Sequence, residues 1–214
     1  MEQDVRSFLA EHFAKKRPPF LRALGRDALA FALHRGEAAK VRTRFGRVLY
    51  ALRLPFRASE YSGLALYRLR VLLRAAHIPL LPTLINWFCA IAWGISIGDY
   101  VLVNDGAYIP HGRLVIDGPV SIDSGCVLCP WITIGLLQGE VRAPQLGKGV
   151  FVGTGAKILG PVRVGAGARI GANAVVLSDV PARATAVGAP ARIIPRADTD
   201  AFNSDPENTA CAPW

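Results

Sequence analysis

From Leu146 to Pro181 an aliphatic residue recurs every six positions, at Leu146, Val152, Ile158, Val164, Ile170 and Val176. Four places after each comes a small or β-branched residue: Val150, Ala156, Val162, Ala168, Ala174 and Val180. Gly follows four of those six aliphatics directly. The period is neither 2 nor 3.6, so a lone amphipathic helix and a hairpin strand are both excluded. A six-residue repeat is the mark of a parallel β-helix. Each hexad makes one short strand and one corner, and three hexads, about 18 residues, complete a turn of a three-sided prism whose aliphatic residues stack coil on coil. Gly and small residues serve the corners, where a bulky side chain does not fit.

The repeat extends upstream in a less regular form. Ile97, Val103 and Ile109 keep the six-spacing, the next aliphatic falls at Ile116 after a one-residue insertion, and Ile122, Leu128 and Ile134 resume it. Between Leu136 and Gln145 the pattern lapses into LLQGEVRAPQ, which with Gly139 and Pro144 reads as a loop thrown out of the prism. These two departures flank one coil, and loops on one face of a repeat scaffold are where binding develops.

The chain of 214 residues divides by charge. Residues 1–90 hold 16 Lys/Arg and 6 Asp/Glu, a balance of +10, and residues 91–214 hold 9 and 10, a balance of −1. Helical patterning dominates the basic part, over Asp4 to His12, Phe20 to Leu33, Lys40 to Leu52 and Ser62 to Ala76. No nucleic-acid module is recognisable. Two readings stay open for this region: a solvated helical collar, or a peripheral contact with anionic lipid, since Arg42, Arg44, Arg47, Arg53 and Arg57 interleave with Phe45, Val48, Leu49, Tyr50, Leu52, Leu54 and Phe56. Ile78 to Ile97 carries no charge, but Pro79, Pro82, Asn86 and Gly94 interrupt it, so a helix packed under the base of the prism is expected and not a membrane span.

The expected organisation is a helical region over 1–94, a β-helix over 95–194 and a flexible polar tail over 195–214. With no secretory signal recognisable and four cysteines, a reduced cytoplasmic setting is expected. Cys126 and Cys129 form a CxxC without a second pair or a nearby His, and Cys126 occupies a small-residue position of the hexad, so neither a metal nor redox chemistry is expected.

His111 is the one histidine within the prism and sits where the register slips, in Ile109-Pro110-His111-Gly112. A neutral imidazole is the usual general base near pH 7. The stretches 152–161, 168–177 and 187–193 (VGTGAKILGP, ARIGANAVVL and VGAPARI) resemble the serine O-acetyltransferase branch of the hexapeptide-repeat acyltransferases. The resemblance runs from about Ser62 to Ile194 and implies a left-handed parallel β-helix, a homotrimer, and acyl-CoA held in the groove between neighbouring prisms. It places His111 at the family's catalytic histidine. It matches Gly135 to an amide near the thioester, Thr154 and Ala172 to backbone contacts along the pantetheine arm, and Arg169 to a basic position near the nucleotide phosphates. Lys157, Arg163 and Arg192 are weaker donor-site candidates, because Lys157, Arg163 and Arg169 fall on successive prism faces and form a ring, not one patch.

The acceptor half departs from the family. The aspartate that helps hold the serine ammonium is Pro110 here, the aspartate that orients the histidine is Ser96, and the loop's Arg-His-Pro is Arg142-Ala143-Pro144, which keeps only the arginine that pairs with the serine carboxylate. These losses predict poor serine binding. The expectation is therefore an acyl-CoA-dependent O-acetyltransferase acting on a saccharide or other non-serine hydroxyl. The alternatives are a true serine O-acetyltransferase and a silent trimeric scaffold. Acetyl-CoA, or another acyl-CoA, is expected as co-substrate, with no permanently bound cofactor.

Overall fold

The computed structural model describes residues 2–195, so most of the expected tail lies outside the described residues. Helices come first: α1 (Glu2–Ala14), α2 (Phe20–His34), α3 (Arg44–Arg53), α4 (Ser59–Ala75) and α5 (Leu81–Trp93). Gly94 ends α5 in the left-handed conformation, its amide returning to Ala90 and Cys89, and the first strand starts at the next residue. A Gly at this C-terminal position is the common helix stop.

Among the described residues, fourteen short strands then wind into three sheets. Sheet A orders β1 (Ile95–Ile97), β3 (Leu114–Ile116), β6 (Thr133–Gly135), β9 (Lys157–Leu159) and β12 (Val175–Val176). Sheet B orders β2 (Leu102–Val103), β4 (Ser121–Ile122), β7 (Gln145–Leu146) and β10 (Arg163–Val164). Sheet C orders β5 (Val127–Leu128), β8 (Phe151–Val152), β11 (Arg169–Ile170), β13 (Thr185–Val187) and β14 (Arg192–Ile194). All neighbours are parallel except β13 and β14, whose antiparallel pairing finishes sheet C.

The hexad aliphatics are the core. Ile97, Val103, Ile109, Ile116, Ile122, Leu128, Ile134, Leu146, Val152, Ile158, Val164, Ile170 and Val176 are all buried, and so is every small residue from Val150 to Val180 that follows them by four. Most have a more exposed residue before them on the strand, as expected of a strand with one buried face, although Leu102 before Val103 and Ser121 before Ile122 are buried too. Cys126 sits in this core, where burial pushes its thiol up to about 12, so it packs as a small apolar group.

The first coil poses a backbone problem. Its amides donate onward, Gly98 to Ile116, Leu102 to Val120 and Asn104 to Ile122, but no earlier coil donates to its carbonyls. The helices and the α1–α2 connection supply the donors. Tyr67 Oη donates to the Val101 carbonyl at 2.8 Å, Arg68 to those of Val103 and Asn104, Arg70 to that of Ile97, Arg17 to that of Asp99, and His12 Nε2 meets that of Tyr100 at 2.7 Å. Buried backbone carbonyls require such partners. A solvated collar is thus the wrong picture for α4: Arg68 and Arg70 are buried, and their charge serves the open end of the prism.

A second anchor lies beside it. Asp27 on α2 is fully buried and accepts from Arg68, from the Gly106 amide at 2.8 Å and from the Ala107 amide at 3.1 Å. Burial pushes its carboxyl up, while the Arg68 guanidinium and the two amides pull it back. Helix α5 packs on α4 and β1, yet it is not tucked wholly under the base: it buries only Pro82 and Cys89, and Leu84, Trp87, Phe88 and Ile91 face outward.

Candidate active site

The strand registers locate the insertion. Tyr108 bridges to Val127 of sheet C, whereas Val115 pairs with Thr133 of sheet A. The chain therefore spends one extra residue on the corner that joins sheet C to sheet A, and that corner is Pro110-His111-Gly112-Arg113. Below it the same corner is built by Pro130-Trp131, Thr154-Gly155 and Ala172-Asn173. A backbone ladder links them: Trp131 donates to the Arg113 carbonyl, Gly155 to that of Pro130 and Asn173 to that of Thr154. Arg113, Trp131, Gly155 and Asn173 all take positive φ, the tight left-handed turn of each corner. His111, Thr154 and Ala172 thus lie along one edge of the prism.

Basic candidates flank that edge. Lys157 enters sheet A just past it, and its Nζ donates to the Trp131 carbonyl at 2.7 Å. Arg169 leaves sheet C just before it, with its guanidinium 5.0 Å from the centre of the Phe151 ring. Arg192 stands on the same sheet as Arg169, on β14. Arg163 is on sheet B, away from this edge.

The imidazole of His111 is 74% exposed. Its support comes from below: the Arg113 amide donates to the Trp93 carbonyl at 2.8 Å, and Arg113 stacks on Trp131 at 5.0 Å. Its charged neighbour is Glu60, in the first turn of α4, whose Oε1 lies 3.8 Å from His111 Nδ1. Ser96 sits at the centre of β1, paired with Val115, and makes no hydrogen bond to His111 among the described residues. Glu60 was missed from sequence because nothing marks an acid in a helix's first turn as part of a site 51 residues away.

Gly135 and Arg142 belong to a different edge. Gly135 ends β6, and the loop 136–144 joins sheet A to sheet B. This loop is less extruded than its sequence suggests: Leu136 covers Gly118, Leu137 covers Gly160 and Ala143 is buried. Arg142 Nε and Nη2 meet Glu140 Oε1 and Oε2 at 3.1 and 2.8 Å. This pairing, joined by the Arg142 amide, holds the Glu140 carboxyl down at about 2. A cleft of about 260 Å³ beside Arg142 is completed by Ser7, Phe8 and Glu11 of α1 and by Arg163. One chain therefore does not bring Arg142 to His111. Two different edges carry them.

Comparison with known proteins adds the family. The pattern of the bacterial transferase hexapeptide (six repeats) family matches residues 143–178. The serine acetyltransferase of Synechococcus elongatus is 34% identical over 139 residues, 64% of this chain and 57% of that protein. That of Helicobacter pylori is 38% identical over 136 residues, 62% of this chain and 79% of that protein. The chain belongs to the serine acetyltransferase branch of the hexapeptide-repeat transferases. Among solved structures, a serine acetyltransferase in complex with CoA superposes with a TM-score of 0.69 at 27% identity, covering 88% of this chain and 75% of its own. The fold is accordingly the left-handed parallel β-helix with N-terminal helices. The chain spans about half the length of several curated relatives it matches, 57% of the Synechococcus protein and 44% of the Escherichia coli one.

The family also corrects the acceptor. A saccharide was expected because carboxylates are missing at Pro110 and Ser96, but these relatives are serine acetyltransferases, which favours the serine reading. The prism alone does not hold every acid near His111, since Glu60 approaches it from a helix.

Proposed function

We propose that this protein is a serine O-acetyltransferase that works as a homotrimer, moving an acetyl group from acetyl-CoA to the serine hydroxyl. The observation that carries the reading is the placement of an exposed His111 at the head of the edge that bears Thr154 and Ala172, in a chain whose relatives are serine acetyltransferases. Acetyl-CoA would run along that edge, with Arg169 and Lys157 toward its phosphates and Arg192 beyond. The A-to-B edge of the neighbouring prism would supply the Gly135 amide and Arg142, the latter for the serine carboxylate.

His111 takes the proton from the serine hydroxyl as its oxygen attacks the thioester carbonyl. Backbone amides hold the resulting oxyanion; the carbon–sulfur bond then breaks, and the proton passes from the imidazolium to the departing thiolate. O-acetylserine and coenzyme A are the products. No covalent enzyme intermediate is needed.

The test is thiol release from acetyl-CoA with and without serine, for wild type and His111→Ala. Serine-dependent release that falls by about 10²- to 10⁴-fold in the variant supports the proposal. Release that is indifferent to serine or to His111 overturns it.

A peripheral membrane contact has its own support. Among the described residues no helix is long and apolar enough to cross a membrane. On α3 and the turn after it, however, Phe45, Val48, Leu52 and Phe56 form one exposed stripe, with Phe56 92% exposed and Arg47, Arg53 and Arg57 exposed beside it. An apolar stripe flanked by arginines suits an anionic lipid surface. Co-sedimentation with phosphatidylserine vesicles that is lost in Phe45→Ser/Phe56→Ser supports this contact, and equal recovery with neutral vesicles argues against it.

A further inference from the structure

The family position that orients the histidine is a serine here, and β1 does not bring that serine to His111. A general base that cycles through an imidazolium gains from a fixed anion at its second nitrogen, which sets the tautomer and steadies the positive charge. The whole described chain offers one acidic group within ion-pair reach of His111, and it comes from outside the β-helix.

We propose that Glu60 is the positioning residue for His111, holding its Nδ1–H so that Nε2 is the free base, and that this contact replaces the carboxylate missing from the prism.

Three features support the assignment. The separation of 3.8 Å between Glu60 Oε1 and His111 Nδ1 is ion-pair range, about 1 Å longer than a hydrogen bond, and the exposed imidazole can turn to close it. Glu60 is itself well placed: its side chain is 21% exposed against 74% for the imidazole, and it sits in the first turn of α4, where the positive end of the helix dipole favours a carboxylate. Helix α4 is also rigidly indexed to the prism. Gly63, one turn further on, packs against Ile95 so closely that a Cβ would collide with its side chain, and Arg68 and Arg70 are bonded to first-coil carbonyls. The carboxylate is thus held by packing that begins three residues after it.

A glutamate in a first turn needs no such role to be favourable, since it stabilises the helix by itself. The two roles part in their consequences. A helix-stabilising Glu60 leaves the imidazole unchanged when removed, whereas a positioning Glu60 sets its tautomer and acts on turnover. A third role, holding the substrate's ammonium, acts on binding.

This inference rests on the proposed acetyl transfer for its kinetic arm but not for its spectroscopic one. In ¹⁵N-histidine-labelled full-length protein without substrate, the His111 ring signals, assigned by their loss in His111→Ala, report the tautomer of the neutral ring. The Nδ1–H form is expected in wild type, and a shift toward the Nε2–H form common in free imidazoles is expected in Glu60→Gln. In the acetyl-CoA assay Glu60→Gln should lower kcat by about 10- to 100-fold with little change in the serine KM, and Glu60→Asp should restore part of it. Unchanged ring signals in Glu60→Gln overturn the proposal. A rise in serine KM at full kcat also overturns it, and points to the ammonium instead. A tautomer shift in a protein that never acetylates serine upholds the Glu60–His111 pairing and rejects the proposed reaction.

Discussion

Glu140 and Arg142 close on each other within one loop, both carboxylate oxygens meeting the guanidinium at 3.1 and 2.8 Å while Oε1 also accepts from the Val141 and Arg142 amides. Arg142 is the residue proposed to receive the substrate carboxylate, so a serine has to displace Glu140 to take the same fork. Glu140→Gln keeps an oxygen for the two amides and removes the charge. Because a partly exposed ion pair is worth about 0.2–1 kcal/mol, the serine KM should fall by about 2- to 5-fold with kcat unchanged. Steady-state kinetics check this; an increased KM would mean that Glu140 orients Arg142 for the substrate and does not compete with it.

The same pair fixes a pH dependence. The Glu140 carboxyl is lowered from 4.5 to about 2, with its hydrogen bond to Arg142 as the largest cause. A depressed carboxyl contributes stability that is complete above the ordinary value and is lost as pH falls through the folded one. The loop should therefore keep its pairing at pH 4. In a carbon-detected NMR titration the Glu140 carboxyl should have its midpoint near 2 in wild type and return toward 4.5 in Arg142→Ala.

Asp27 and Arg68 should behave as one unit with the first coils. Asp27→Ala leaves a buried guanidinium unpaired and the Gly106 and Ala107 amides without their acceptor, and should lower stability by about 3–5 kcal/mol in urea unfolding. Replacing a buried pair on both sides often recovers such a loss. Here Asp27→Ala/Arg68→Met should stay destabilised by about 2 kcal/mol or more, since the Val103 and Asn104 carbonyls lose donors as well.

These contacts explain what the sequence makes legible and what it hides. The prism could be read residue by residue, because each hexad buries its own aliphatic and repeats the same local rule; even the slip at His111 appears as a seven-residue gap between Ile109 and Ile116. The purpose of the basic N-terminal part could not be read so. Arg68 and Arg70 look like the polar face of a helix, and only the first coil's unpaired carbonyls give them their work. Glu60 was hidden for the same reason: periodicity reports which face of an element is buried, not which element arrives beside it. The acids near His111 counted from the prism alone were therefore one short.

Helix α1 carries a pH-sensitive contact of its own. His12 is buried, its Nε2 meets the Tyr100 carbonyl at 2.7 Å, and its Nδ1 has no hydrogen-bond partner among the described residues. Burial lowers its pKa below 6.5, opposed by the Tyr100 bond and assisted by Lys15 and Arg17. The unfolded chain then takes up a proton at higher pH than the folded one, so stability is lost as pH falls below 6.5 toward the folded value. His12→Gln offers the same carbonyl an uncharged donor. Between pH 7.5 and 5.5 the wild-type Tm should fall more than that of the variant, and parallel curves would exclude His12 as the cause.

Gly112 sets the height of His111 above the end of α5. A Cβ at this position would collide with the Trp93 carbonyl, a backbone atom held by the Arg113 amide. Neither side can yield cheaply, because Gly94 immediately after Trp93 is in the left-handed turn that ends the helix and its own Cβ position abuts Arg113. Gly112→Ala should therefore push the corner away from α5 and carry His111 from Glu60. The expected result is a loss of about 1–3 kcal/mol in unfolding free energy and a larger fractional loss in kcat than in stability-matched core variants such as Ile170→Val. If activity instead tracks stability alone, the seat of His111 on the helix is not what sets its position.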